Sequence, residues 1–294
     1  MDRQHWILLR PLIRRAVRLA GRSRRVAFGD ELILTMYLWA VAHDRPMCWA
    51  CDKSHYHEPF RPRRLPSVSQ FCRRVKTELF QRQLQALHDL LSRDRRLAGI
   101  NFLDGLPLPV GNFSRDPDAR RGWGVGRVEK GYKLHALATQ DRFVAGWSVA
   151  PLNVHEMHVA GRLIGQATPV PAGAVFLADG NYDAHDLHKH VAGHGGWLWA
   201  RPRGMARHDV TLRQMGPARR ALLDVWRQTP GFARALQLKR VHIEGIFSNL
   251  TACGGGLGPL PRFVRRLERV RRWVGGKIIL YHTRLTLRQA ANIQ

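Results

Sequence analysis

Acidic residues are scarce in this chain: 22 Asp and Glu stand against 48 Lys and Arg in 294 residues. The formal net charge is therefore +26, with a pI near 11.5. Basicity on that scale implies a polyanionic partner, nucleic acid first, because cationic side chains neutralise phosphates and release their counterions. Lysine is scarce as well, at 7 of the 48 basic residues. The charge is carried by Arg, whose planar fork grips phosphate bidentately. A genome biased toward Arg codons produces the same excess, and composition does not separate the two. Four Cys, at 48, 51, 72 and 253, make no disulfide framework in a chain this long and fit a reducing cytoplasm.

Other absences narrow the classes further. No apolar run reaches the roughly 18 residues of a membrane span. The N-terminal stretch is interrupted by Arg10 and Pro11 and lacks an apolar core with a cleavage site, so no secretory signal is expected. A cytoplasmic, nucleoid-associated protein with no membrane partner is the expectation. The Gly-rich "CGGGLGPLP" lacks the Lys-Ser/Thr of a phosphate-binding loop, and no HExxH occurs. "CWACDKSHYH" gathers Cys48, Cys51, His55 and His57. It lacks the distant second half of a usual zinc clamp, so a zinc site is disfavoured. No internal repeat is found.

What is present is a 45% hydrophobic composition, enough for a packed core. Residues 1–98 read as helical and form one expected region. "ELILTMYLWAVAH" is an apolar helix with Asp30 as candidate N-cap. Ser67 and Gln70 have capping-box spacing, and Val68, Phe71, Val75 and Leu79 follow at helical intervals. Arg73, Arg74 and Lys76 fall off that stripe. They form either a helix-turn-helix-like DNA-binding face or the solvated side of a bundle. From residue 99 to 294 the pattern is α/β. "INFLDGLPLPV" is a strand, "GYKLHALAT" and "FVAGWSVAP" a hairpin, and short apolar strands then alternate with helices. In "RFVRRLERVRRWVGGK", Phe263, Leu267, Val270 and Val274 form a packing stripe. Arg265, Arg266, Arg269 and Arg272 project elsewhere, toward a DNA backbone or toward solvent.

With so few carboxylates, the place of each carries information. Asp104 interrupts an apolar strand, although an unpaired buried carboxylate is strongly disfavoured. Asp179 ends the strand "AVFLAD", where crevices of sheets with parallel strands open. Asp183 reads as a helix N-cap. Glu244 lies beside the stripe of "LKRVHIEGIFSNL", with Arg240 one turn earlier, a spacing that also suits a plain helical ion pair. Two Asp and one Glu can make an oxygen-rich pocket for Mg²⁺ and so serve phosphoryl transfer. By spacing alone a chain of this length offers many such triples.

"FLDGLPLPV", "GYKLHAL", "LADGNYDAHDL" and "RVHIEGIFSNL", in that order and followed by an Arg-rich helix, resemble the bacterial insertion-sequence DDE transposases of the IS4/IS5-like group. The resemblance spans roughly residues 99–290. It implies a ribonuclease H-like mixed-sheet catalytic core behind a helical N-terminal DNA-binding region. It implies Asp104, Asp179 and Glu244 as catalytic metal ligands for Mg²⁺, with Mn²⁺ as substitute. Metal-dependent cleavage and strand transfer would need no covalent intermediate and no nucleotide. Lys133, in "GYKLHAL", would contact phosphate or be an edge-strand charge; Arg240 would hold phosphate. The implied partners are double-stranded DNA with terminal inverted repeats, target DNA and a second copy of the chain in a synaptic homodimer. A non-catalytic DNA-binding derivative and a ribonuclease H-like nuclease are the alternatives. Two motif positions depart: Gln237 stands where the family often has Tyr, and Thr251 where it often has Lys. The 65-residue separation of Asp179 and Glu244 leaves no room for a large β-rich insertion, so a compact core is expected.

Overall fold

Residues 3–92, 97–167, 169–202, 215–252, 257 and 259–291 are described by the structure, a computed structural model. The chain divides into two compact units. One, residues 95–248, holds the sheet; the other joins residues 1–94 to residues 249–294. The basic C-terminal segment thus groups with the N-terminal helices and not with the sheet, unlike the division at residue 98 read from the sequence.

The sheet unit is a mixed α/β fold. Its strands are β1 (Ile100–Pro109), β2 (Arg120–Trp123), β3 (Val128–Thr139), β4 (Val144–Pro151), β5 (Val175–Ala178) and β6 (Trp197–Ala200). They run in the order β2-β3-β1-β5-β6, with β4 also on β3. β3 is antiparallel to β1, β2 and β4, whereas β5 is parallel to both β1 and β6. The β3–β4 hairpin is the one its alternating pattern predicts, while β2, four residues long and mostly exposed, left no signal. β1 is central, and opposite partners share a face. Leu103, paired with Leu137, looks onto α5 (Glu156–Gln166) and α6 (His185–Gly193), where Val159, Leu163, Leu187 and Val191 close one core. Phe102 and Asp104 face the other way.

Past β6 come α7 (Pro217–Gln228), α8 (Pro230–Leu238) and α9 (Val241–Ala252). α7 and α8 each start at a Pro, which fits the first helical turn because its missing N–H is not needed there. Trp226 of α7 stacks on Trp199 of β6, with ring centroids 6.0 Å apart. The His242 ring of α9 lies parallel to Phe102 of β1, 5.6 Å away. Asp183 is not the expected N-cap, since Ala184 holds that position in α6. Its side chain is fully buried and takes two bonds from Arg219 of α7, Nε at 2.8 Å and Nη2 at 2.6 Å. His188 of α6 stands 3.1 Å from its Oδ1.

The helical unit contains α1 (Arg3–Ala20), α2 (Asp30–Ala42), α3 (Val68–Val75), α4 (Glu78–Ser92) and α10 (Leu267–Ala291). The Ser67–Gln70 capping box is present in both directions. The stripe through Leu79 is interrupted: α3 ends at Val75 and α4 starts at Glu78. Asp30 is the first residue of α2, whose N-cap is Gly29. Its carboxylate takes bonds from Ser23 and pairs with Arg74, and Arg74 also donates to the Phe28 carbonyl at 2.9 Å. Lys277 is buried completely, paired with Asp44 and 5.2 Å from the Trp273 ring centre.

Breaking a buried ion pair from one side leaves the other charge stranded. Arg219→Ala is expected to lower the unfolding free energy of the sheet unit by about 3 kcal/mol, read from urea denaturation followed by Trp fluorescence. A loss under about 1 kcal/mol, the size of an exposed pair, would contradict the role given to Asp183.

Candidate active site

Strand register brings the two Asp residues together. β1 and β5 pair in parallel as Ile100 with Val175, Asn101 with Phe176 and Phe102 with Leu177. Continuing that register by two residues sets Asp104 level with Asp179, just past the C-terminal end of β5. The apolar strand that carries Asp104 is the central one: it is paired with β5 up to Phe102 and with β3 through Asp104, opposite Ala136.

Asp104 is largely buried, with 17% of its side chain accessible. Burial pushes its pKa up to about 6; Arg240 and the Gly105 N–H oppose this, and the neighbouring Asp179 and Glu156 add to it. Oδ1 accepts the Gly105 N–H at 2.8 Å, and Oδ2 accepts Nη1 of Arg240 at 2.6 Å. Asp179 caps the short 3-10 turn Gly180–Tyr182. Its two oxygens accept the backbone N–H and Nδ2 of Asn181, at 2.7 and 2.9 Å.

Glu244 reaches the site through Arg240. Arg240 lies in the link between α8 and α9, and its Nη2 donates to Glu244 Oε1 at 2.8 Å across one helical turn. The helical ion pair suggested by the spacing is present, and the same guanidinium also binds Asp104. Gln237, the position that departs from the family motif, donates from Nε2 to the Ala178 carbonyl at 2.9 Å. That bond ties the end of α8 to the last residue of β5, next to Asp179.

Lys133 is neither an edge-strand charge nor a free phosphate contact. β3 is paired on both sides there, with Pro107 of β1 and Ala150 of β4. Its Nζ donates to Glu156 Oε1 at 2.6 Å, and both side chains are nearly buried. The pair lies over Gly105, where an added Cβ would come within 2.8 Å of Lys133 Cδ and 3.3 Å of Glu156 Oε1. Glu156 was missed in the sequence. The available signal was its scarcity value as one of few carboxylates, at the start of the helix after the hairpin. Tyr182 was missed too. It is buried beside Glu156, Asp104 and Asp179, and its pKa rises well above the usual phenol value, from burial first and then from these carboxylates.

The remaining basic candidates lie in the other unit. Arg73 and Lys76 are exposed on and after α3, while Arg74 is engaged with Asp30. Arg265 and Arg266 precede α10 instead of lying on it. Arg265 bonds the carbonyls of Pro261 and Val264, at 2.7 and 2.8 Å. Arg269, exposed, donates to the Phe263 carbonyl at 2.8 Å. Arg272 does not project outward. It is 8% exposed, with burial lowering its pKa and the nearby Tyr37 opposing that. Of the zinc candidates, Cys51 Sγ donates to the Met47 carbonyl at 3.6 Å, and the His55 ring stacks on Trp49. Among the described residues, no three His, Cys, Asp or Glu side chains stand together as a metal-holding group.

Removing one partner of the near-buried Lys133–Glu156 pair exposes the other to the full cost of an unpaired charge. Glu156→Ala is expected to destabilise the sheet unit by roughly 3 kcal/mol, and the Lys133→Met, Glu156→Leu double variant to recover most of that loss. Chemical denaturation of the single and double variants checks this, and strictly additive losses would contradict a coupled pair.

A model of the transposase DDE domain family matches residues 96–281, a span containing every residue of the carboxylate and cation cluster. No curated protein and no solved structure matches the chain.

Proposed function

From the premise that this chain belongs to the transposase DDE domain family, we propose that it is a DNA transposase that cleaves insertion-sequence ends and joins them to target DNA. The observation that carries the proposal is the convergence of Asp104, in the middle of β1, with Asp179, just past the end of the adjacent β5, and the link from Asp104 to Glu244 through Arg240. The sheet, with β3 antiparallel to β1, β2 and β4 and with β5 and β6 parallel to β1, supports a ribonuclease H-like reading of the core. The IS4/IS5-like grouping is compatible with the match.

In this reading Asp104, Asp179 and Glu244 are the catalytic carboxylates. The family implies a divalent cation, Mg²⁺ or Mn²⁺. When bound, such an ion neutralises charge on the attacking and leaving oxygens of a phosphodiester. The donor chemistry suits a hard cation. Asp104 and Asp179 raise each other's need for positive charge, so the two fit. Glu244 fits only after Arg240 lets go, because its Oε1 and the Oδ2 of Asp104 are held by one guanidinium.

The chain's own residues then have distinct tasks. β1 fixes Asp104, and Asn181 orients Asp179 by taking up both of its oxygens. Gln237 fastens the Arg240 segment to β5. Arg240 and Lys133 supply positive charge beside the carboxylates. Besides Lys133 and Arg240, the DNA contacts expected from the sequence were Arg73, Arg74, Lys76, Arg265, Arg266, Arg269 and Arg272. Of these, exposed Arg73, Lys76, Arg266 and Arg269 are the ones proposed to meet the DNA backbone, and the N-terminal helical region is proposed to bind terminal inverted repeats. Arg74, Arg265 and Arg272 serve the packing of their own unit. Two ends must be joined in one event, so a homodimer on two terminal repeats and a target duplex is the proposed working form. No described helix is long and apolar enough to cross a membrane.

The test is cleavage and joining of duplexes carrying the short inverted repeats that flank the reading frame, in Mg²⁺ or Mn²⁺. Asp104→Asn, Asp179→Asn and Glu244→Gln are each expected to lower the rate more than about 100-fold, beyond the loss from outer-sphere substitutions, with melting curves retained. Folded variants with full activity would overturn the assignment, and cleavage without joining would indicate a nuclease.

A further inference from the structure

Arg240 stands where a cation would be expected. Its two terminal nitrogens bind two different carboxylates, Asp104 Oδ2 at 2.6 Å and Glu244 Oε1 at 2.8 Å. Charge-assisted bonds of this length are the strong ones. The second cation of the site, Lys133, is committed to Glu156 at 2.6 Å. Asp104, Asp179, Glu156 and Glu244 against Lys133 and Arg240 leave a formal charge of −2, the complement of one divalent ion. Yet the carboxylate that would reach such an ion from α9 is turned to the guanidinium.

We infer that Arg240 is an internal counter-ion that clasps Asp104 to Glu244 and holds the carboxylate set closed against a divalent cation. The inference rests on reading Asp104, Asp179 and Glu244 as the cation-binding set. A guanidinium and a divalent ion cannot share Asp104 Oδ2 without close like-charge contact, so one displaces the other. The clasp is asymmetric. The Asp104 side chain is 17% accessible and that of Glu244 is 54% accessible. Water competes for the Glu244 arm, so the clasp opens from that side first. The Asp104 arm is the stronger one, in the drier surroundings. Arg240 also has somewhere to pivot. It sits in the turn between α8 and α9, its backbone N–H bonded to the Gln237 carbonyl at 3.1 Å, so its side chain can swing while Gln237 keeps the turn on β5.

The experiment is Mn²⁺ binding to the full-length protein, read from the electron paramagnetic resonance signal of free Mn²⁺. The Asp104→Asn, Asp179→Asn double variant sets the baseline for adventitious sites. Arg240→Gln removes the clasp and is expected to tighten Mn²⁺ binding roughly tenfold or more, the range set by losing one charged hydrogen bond. Arg240→Lys keeps a point charge that reaches one carboxylate at a time and is expected to fall between the two. It also serves as the folded comparison should the Gln variant unfold. Unchanged or weaker binding in folded Arg240→Gln, or Arg240→Lys binding no tighter than the native chain, overturns the clasp alone. If neither the native chain nor Arg240→Gln binds Mn²⁺ above the baseline, the carboxylate set itself is misread and the inference falls with it.

Discussion

A carboxylate in the middle of an apolar central strand must be compensated, and here one guanidinium does it. The bond from Arg240 to Asp104 joins the sheet to the helical segment that follows α8, and the bond from Arg240 to Glu244 brings in α9. Without that cation, Asp104 and Asp179 would confront each other with a backbone N–H and an Asn as their nearest polar partners. The position of α9 over β1 follows from this requirement as much as from apolar packing, since the stack of His242 on Phe102 lies two residues along each segment from the ion pair.

The neighbouring contacts serve the same end. Parallel pairing of β1 with β5 sets the two Asp residues level. Gln237 then bonds the backbone immediately before Asp179, so the segment carrying Arg240 is anchored to the strand whose charge it helps to balance. On the opposite face, the Lys133–Glu156 pair rests on Gly105, the residue after Asp104, where a larger side chain would crowd it. A cation–carboxylate pair thus lies on each face of β1 at Asp104 and Gly105. Farther out, buried Asp183 fixes α7, the helix that leads into α8, to α6.

Much of this was legible in the sequence. β1, the β3–β4 hairpin, α5 and the capping box at Ser67 follow from period-two alternation, period-3.6 stripes and local side-chain chemistry. These forces act within a few residues. The carboxylates stood out because acidic residues are rare and because their motifs resemble those of a known family. What was not legible depends on long-range pairing. Nothing near Lys133 in the chain announces Glu156, 23 residues later. Arg74 and Arg272 sit at helical positions that suit a solvated face, yet each is drawn inward, Arg74 by Asp30 and Arg272 by burial near Tyr37. Asp183 looked like a cap because a cap is local, and its actual partner lies 36 residues on. The grouping of residues 249–294 with the N-terminal helices also has no local signature.

The functional reading stands or falls on whether Asp104 and Asp179 hold one cation between them. Anomalous diffraction from crystals soaked in Mn²⁺ addresses this directly. The expected result is a peak within the roughly 2.0–2.2 Å of a hard-cation bond from carboxylate oxygens of both residues, with Arg240 moved off Asp104 Oδ2. A saturated crystal with no peak there, or with its strongest peak away from these two residues, would contradict it.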